Sequence, residues 1–149
     1  MAILNRLPTR DRLLGFGLEV EGDCVLCESN SETRGHIFFQ CEYSKLVWQS
    51  LLQACQIHRV VMDWNRELEW ASAMRGRSFD SMTFRLIWNC FVYSIWRERN
   101  CRIFSGAHCT GQDLIVHVKE IVKLKLLSML HNGNRTINMD FCIAWGIDV

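Results

Sequence analysis

Cys24-Val25-Leu26-Cys27-Glu28-Ser29-Asn30-Ser31-Glu32-Thr33-Arg34-Gly35-His36-Ile37-Phe38-Phe39-Gln40-Cys41 is the stretch that organises the rest of the chain. Two cysteines separated by two residues can turn both sulfurs toward one point. A histidine and a third cysteine just beyond a polar loop can then complete a tetrahedron around Zn²⁺. The spacing predicts one structural zinc held by Cys24, Cys27, His36 and Cys41. Four protein ligands fill the tetrahedron, so no position stays open for a water or a substrate, as a catalytic zinc requires. Gly22 and Asp23 supply a turn before the first ligand pair, and Thr33 is placed to cap a short helix carrying His36. Val25, Leu26, Ile37, Phe38 and Phe39 lie between the ligands, which predicts that the knuckle packs on a larger body. The competing reading is buried thiols and a core histidine, because eight cysteines in 149 residues make an isolated CxxC commonplace. The compact addition of His36 and Cys41 weighs against it.

Length and composition bound the remainder. A chain of 149 residues that is 49% hydrophobic with six tryptophans can build one packed core. There is one proline, with no low-complexity run and no apolar span long enough to cross a membrane. Met1 to Leu4 is too short for the apolar core of a signal peptide, and Asn5 and Arg6 follow at once. Reduced thiols and an intracellular location, nucleus or cytoplasm, are therefore expected. The net charge of +1 argues against a general polyanion binder, since Lys and Arg contacts to phosphate supply most non-specific nucleic-acid affinity. The half that carries the ligands is slightly acidic once three thiolates and the metal are included.

Beyond the knuckle the pattern is helical, and the expected fold class is all-α: a small helical bundle with an N-terminal zinc knuckle and an extended C-terminal tail. Arg6 to Gly17 reads as a short helix capped by Thr9. Ser44 is a candidate N-cap for a helix to about Ile57, with Trp48 beside the metal module. Asp63 can cap a third helix to about Arg75, with Leu68, Ala71 and Met74 inward. The longest helix, about Met82 to Phe104, carries Phe84, Ile87, Trp88, Phe91, Ile95 and Trp96 on one broad stripe. Arg85, Arg97, Glu98, Arg99 and Arg102 are expected mostly on its other side. Thr110 to Asp113 approximates a capping box for a last helix to about Leu130, stopped by Asn132, Gly133 and Asn134. Phe141, Ile143, Trp145 and Ile147 alternate with period two, which predicts an extended segment laid on the helices. The expected division is residues 1–60, the knuckle with its flanking helices, and residues 61–149, a helical region packed on it as one unit.

Arg6-Leu7-Pro8-Thr9-Arg10-Asp11-Arg12-Leu13, Cys24-x-x-Cys27, Glu32 to Cys41 and Ser44-Lys45-Leu46-Val47-Trp48 together resemble the reverse transcriptase zinc-binding domain. That domain lies near the C-terminal end of plant non-LTR (LINE-type) retrotransposon polyproteins and in their solitary relatives. Ile95 to Phe104 is similar to the segment that often follows it. The resemblance implies zinc at Cys24, Cys27, His36 and Cys41, and descent from a retroelement polyprotein. Glu42 stands where the family commonly has proline, and the aromatic helix that usually leads into the Leu-Pro-Thr segment is not in this sequence. No Tyr-x-Asp-Asp core is present, and the nine acids after residue 60 show no grouping for two Mg²⁺, so no polymerase or ribonuclease H chemistry is expected.

Other constellations carry less. Cys101, His108 and Cys109 lack a fourth metal ligand, and His58, His117 and His131 lack a paired nucleophile and carboxylate. Gly15-x-Gly17 is too short for a phosphate loop. Two functions from different classes remain. In the first the domain is a nucleic-acid-binding accessory without enzymatic activity, in which Arg97, Arg99, Arg102, Lys119 and Lys123 grip RNA or DNA. In the second it is a protein-interaction or structural module that packs on a polymerase-type or host partner and binds no nucleic acid. Neither involves a membrane or a small-molecule substrate.

Overall fold

A computed structural model of the chain describes residues 1–131 and 138–148. The order of elements is α1 (Arg10–Gly15), a single wide turn (His36–Gln40), α2 (Glu42–Ala54), α3 (Trp64–Ala73), α4 (Phe79–Phe104), α5 (Gly111–His131) and α6 (Met139–Ala144). Among the described residues there is no strand, only one antiparallel bridge between Asp23 and Ser31. The all-α expectation holds, and no helix among these residues is long and apolar enough to cross a membrane.

Local chemistry explains most helix starts. Asp63 Oδ1 accepts from Arg66 N at 3.1 Å, Ser78 Oγ accepts from Ser81 N at 3.2 Å, and Thr110 Oγ1 accepts from Asp113 N at 3.1 Å. Each satisfies one of the backbone donors that a helix N-terminus leaves free. Two expected caps fail. Thr9 precedes α1 but makes no side-chain cap bond. Ser44 lies inside α2, where its hydroxyl donates to Ile37 O, and the N-cap position belongs to Cys41. The stop proposed at Asn132 to Asn134 lies outside the described residues.

The core is a cluster of aromatic rings at the crossing of the elements. Phe39, from the wide turn, lies 5.2 Å from Trp88, 5.6 Å from Trp64 and 5.7 Å from Phe91, centroid to centroid. Trp48 of α2 sits 4.8 Å from Phe91 and 6.0 Å from Phe39. Offset and edge-on pairs of this kind add to the stabilisation that burial alone provides. α5 closes the bundle against both α2 and α4, burying Leu114, Ile115, Val118, Val122 and Leu126.

The tail departs from its expectation. Met139–Ala144 is helical, with Asn138 Oδ1 accepting from Phe141 N at 3.2 Å. Phe141 and Trp145 stack at 5.1 Å, and Trp145 Nε1 donates to Ala54 O at 3.0 Å. Residues four apart share a helix face just as they share a strand face, so Phe141 and Trp145 fit both periods. Ile143 decides between them: a strand would bury it with its neighbours, whereas it is 71% exposed.

Candidate metal centre

The ligand loop closes on its own backbone. Cys24 N donates to Asn30 O at 2.7 Å, Glu28 N to Cys24 O at 2.8 Å and Glu32 N to Gly22 O at 2.8 Å. Glu28 takes φ 55°, the left-handed turn that swings the chain away directly after Cys27. On the far side Thr33 Oγ1 accepts from His36 N at 3.0 Å, the cap expected from the sequence. The chain then makes a turn wider than an α-helix, in which Cys41 N donates to His36 O at 2.7 Å, a five-residue span. That width sends His36 and Cys41 to one side while Ile37, Phe38 and Phe39, all 0–1% exposed, plug the core on the other.

The ligand atoms of Cys24, Cys27, His36 and Cys41 lie within 4.8 Å of one another. Cys24 Sγ and Cys41 Sγ are 3.9 Å apart, and Cys27 Sγ and His36 Nε2 are 3.3 Å apart. Tetrahedral zinc with ordinary bond lengths sets sulfurs about 3.8 Å apart and sulfur from imidazole nitrogen about 3.6 Å. A disulfide would need about 2.05 Å. The donor set therefore fits one structural Zn²⁺, and it is the only such cluster among the described residues.

Electrostatics favour a dication. The Cys24 thiol is pushed up, first by the hydrogen bond it donates to Cys41 and then by burial. That same bond draws Cys41 down. The pair thus favours one protonated sulfur and one thiolate, and a divalent cation between them would stabilise both as thiolates. Burial lowers the His36 pKa, with Glu32 acting the other way, which favours the neutral imidazole that can ligate a metal.

Two buried charge clusters hold the loop to α4. Glu32, fully buried, accepts from Arg99 Nη2 at 2.8 Å and Arg99 Nε at 3.2 Å. It also accepts from Arg10 N at 2.9 Å, at the start of α1. Glu98 accepts from Arg102 Nε at 2.8 Å and from Cys109 N at 2.8 Å. Arg102 Nη1 reaches Leu26 O at 3.3 Å and Val25 O at 3.4 Å, the carbonyls between the first two cysteines. Its guanidinium lies 4.7 Å from the centre of the Tyr43 ring.

These contacts correct the sequence reading of α4. Glu98 and Arg99 are 7% and 3% exposed, not on the wet side, and Arg99 and half-buried Arg102 are held in ion pairs with Glu32 and Glu98. Arg97 is exposed, and Lys119 and Lys123 are half-buried, with Lys119 Nζ 5.7 Å from the Trp145 ring. Glu32 was missed as a buttress. Its position inside a polar loop carries no sign of burial, and its partner lies 67 residues away. Cys101, His108 and Cys109 do not form a second metal cluster among the described residues.

Residues 1–48 match the family model described as zinc-binding in reverse transcriptase. Comparison with curated proteins and with solved structures found no match. Residues 1–48, about a third of the chain, are thus similar to the zinc-binding domain of reverse transcriptases, and the four candidate ligands gather at metal distance inside that matched segment.

Proposed function

We propose that this chain is a retrotransposon-derived accessory that binds nucleic acid, carries no polymerase activity, and holds one zinc through Cys24, Cys27, His36 and Cys41 purely as scaffold. The observation that carries the reading is the closed ligand set: four side-chain donors within 4.8 Å leave no coordination position for a reacting group. When bound, zinc supplies charge and geometry to the knuckle. Arg34 and Arg102 tie the knuckle to its surroundings, Arg34 through Ala2 O at 3.2 Å and Ile3 O at 3.1 Å. Residues 1–60 and 61–149 act as one unit in this reading, because Phe39 belongs to the same ring cluster as Trp88 and Phe91. Of the five cations expected to grip nucleic acid, Arg97 is the exposed one, and it has no ion-pair partner among the described residues. Lys119 and Lys123 stand second to it.

A second reading, a protein-docking module that binds no nucleic acid, gains from the internal use of Arg99 and Arg102 and from the net charge of +1. Metal analysis of the purified protein tests the scaffold: one zinc per chain is expected, and full occupancy in Cys27→Ser would overturn the ligand assignment. Binding to RNA and DNA at several salt concentrations tests the rest. No affinity even at low salt sinks the nucleic-acid role and leaves the docking module.

A further inference from the structure

α4 buries one side and presents the other, and its outward surface changes character near the C-terminal end. Tyr93 is 64% exposed and Phe104 is 80% exposed, and Trp96 is half-buried between them in sequence. Together with Arg97 and Asn100 they line one open groove. Their spacing of three, four, seven and eleven residues from Tyr93 places them along a single helix face, and the groove has no carboxylate and no aliphatic residue in its lining. Its middle ring is held from within: the Arg99 guanidinium lies 4.6 Å from the centre of Trp96 and is itself locked to Glu32 at 2.8 Å. Arg97 and Cys101 also border a second groove, which adds His108 and His117. The one carboxylate there, Glu98, is already bonded to Arg102 and to Cys109 N.

Two exposed rings flanking a half-buried third, with a guanidinium and an amide between them and no carboxylate in the groove lining, match the chemistry of single-stranded nucleic acid. Unpaired bases stack on aromatic side chains regardless of sequence, while cations alongside follow the phosphates. A duplex hides its base faces and would leave the rings unused. An aliphatic helix or peptide would find no matching aliphatic wall.

We propose that the outward face of α4, from Tyr93 to Phe104, is a stacking platform for single-stranded nucleic acid, with Arg97 as its main phosphate contact. This rests on the nucleic-acid reading above and adds the site, the strandedness and the dominant force. Because the face holds few cations, stacking outweighs charge, and the dependence on salt is shallow. With one to two phosphates neutralised, log K falls against log salt with a slope of about −0.7 to −1.4.

The test uses the full zinc-loaded chain and fluorescein-labelled oligo-dT and oligo-U, against a duplex of the same length, read by anisotropy. Tyr93→Ala and Phe104→Ala alter rings that pack little, and zinc content and melting temperature check that the variants keep the fold. Each is expected to weaken single-strand binding about fivefold or more. Arg97→Gln should flatten the salt slope by about 0.7. Wild-type binding that the Tyr93→Ala/Phe104→Ala double variant retains within twofold overturns the platform and spares the nucleic-acid reading. Tighter binding to duplex than to single strand overturns the platform too. Absence of binding by the wild-type chain overturns both, and self-association that the double variant abolishes would then assign the face to protein.

Discussion

Arg97 and Arg99 are two residues apart on one helix and have opposite fates. A step of two residues turns an α-helix by about 200°, so one guanidinium faces water and the other is 3% exposed against Glu32. Removing one partner of a buried ion pair leaves an uncompensated charge, a loss of about 3–5 kcal/mol. Arg99→Ala should therefore lower the urea midpoint severely, whereas Arg97→Ala should change stability by no more than about 0.5 kcal/mol. Equal effects of the two substitutions would contradict the placement of Arg99. Composition treats both as solvated arginines, and only the arrival of Glu32 from the zinc loop separates them.

At the scale of elements, α3 is anchored by an acid that its hydropathy pattern would put in water. Glu67 is fully buried and accepts from Trp48 Nε1 at 3.0 Å, Arg59 Nη1 at 2.7 Å and Met62 N at 2.7 Å. It joins α2, the α2–α3 connection and α3 in one node. Glu67→Leu strands three donors, and a loss of about 3 kcal/mol is expected, since Arg59 keeps partial access to water. Glu69→Leu, on the exposed side of the same helix, should be close to neutral. Denaturant titration of the pair checks this, and similar midpoints would show that the node contributes little. The helix spans themselves were readable because Asp63 and Thr110 cap where hydrophobic periodicity begins. α6 was not, because five residues of Phe-x-x-x-Trp suit a strand and a helix alike until packing chooses.

For the whole molecule, the wide turn couples metal to core: His36 and Cys41 face the ligand cluster while Ile37, Phe38 and Phe39 are buried among the helices. Chelation should therefore lower the melting temperature of the entire chain, with hydrogen exchange rising first across residues 18–48. Identical melting curves with and without chelator would show that the knuckle is dispensable to the fold. Acid should act in the same direction. Burial lowers the His36 pKa from its ordinary 6.5, so the unfolded chain binds that proton more tightly. The stability this contributes is present above about pH 6.5 and is lost as pH falls through the lower folded value, while protons also compete with metal for the thiolates. A urea midpoint that is no lower at about pH 5.5 than at about pH 7.5 would refute this.

The candidate ligand set, the helix class and the longer helix spans were determined by the sequence alone, because sulfur spacing, capping side chains and apolar periodicity are local signals that a short window contains. Which charges are inside was decided only by the tertiary structure. Glu32, Glu67, Glu98 and Arg99 carry residue types that favour water, and their burial depends on partners from α1, α2, α4, the α4–α5 connection and the zinc loop. Desolvating a charge is costly unless such partners arrive with it, and no local pattern records their arrival.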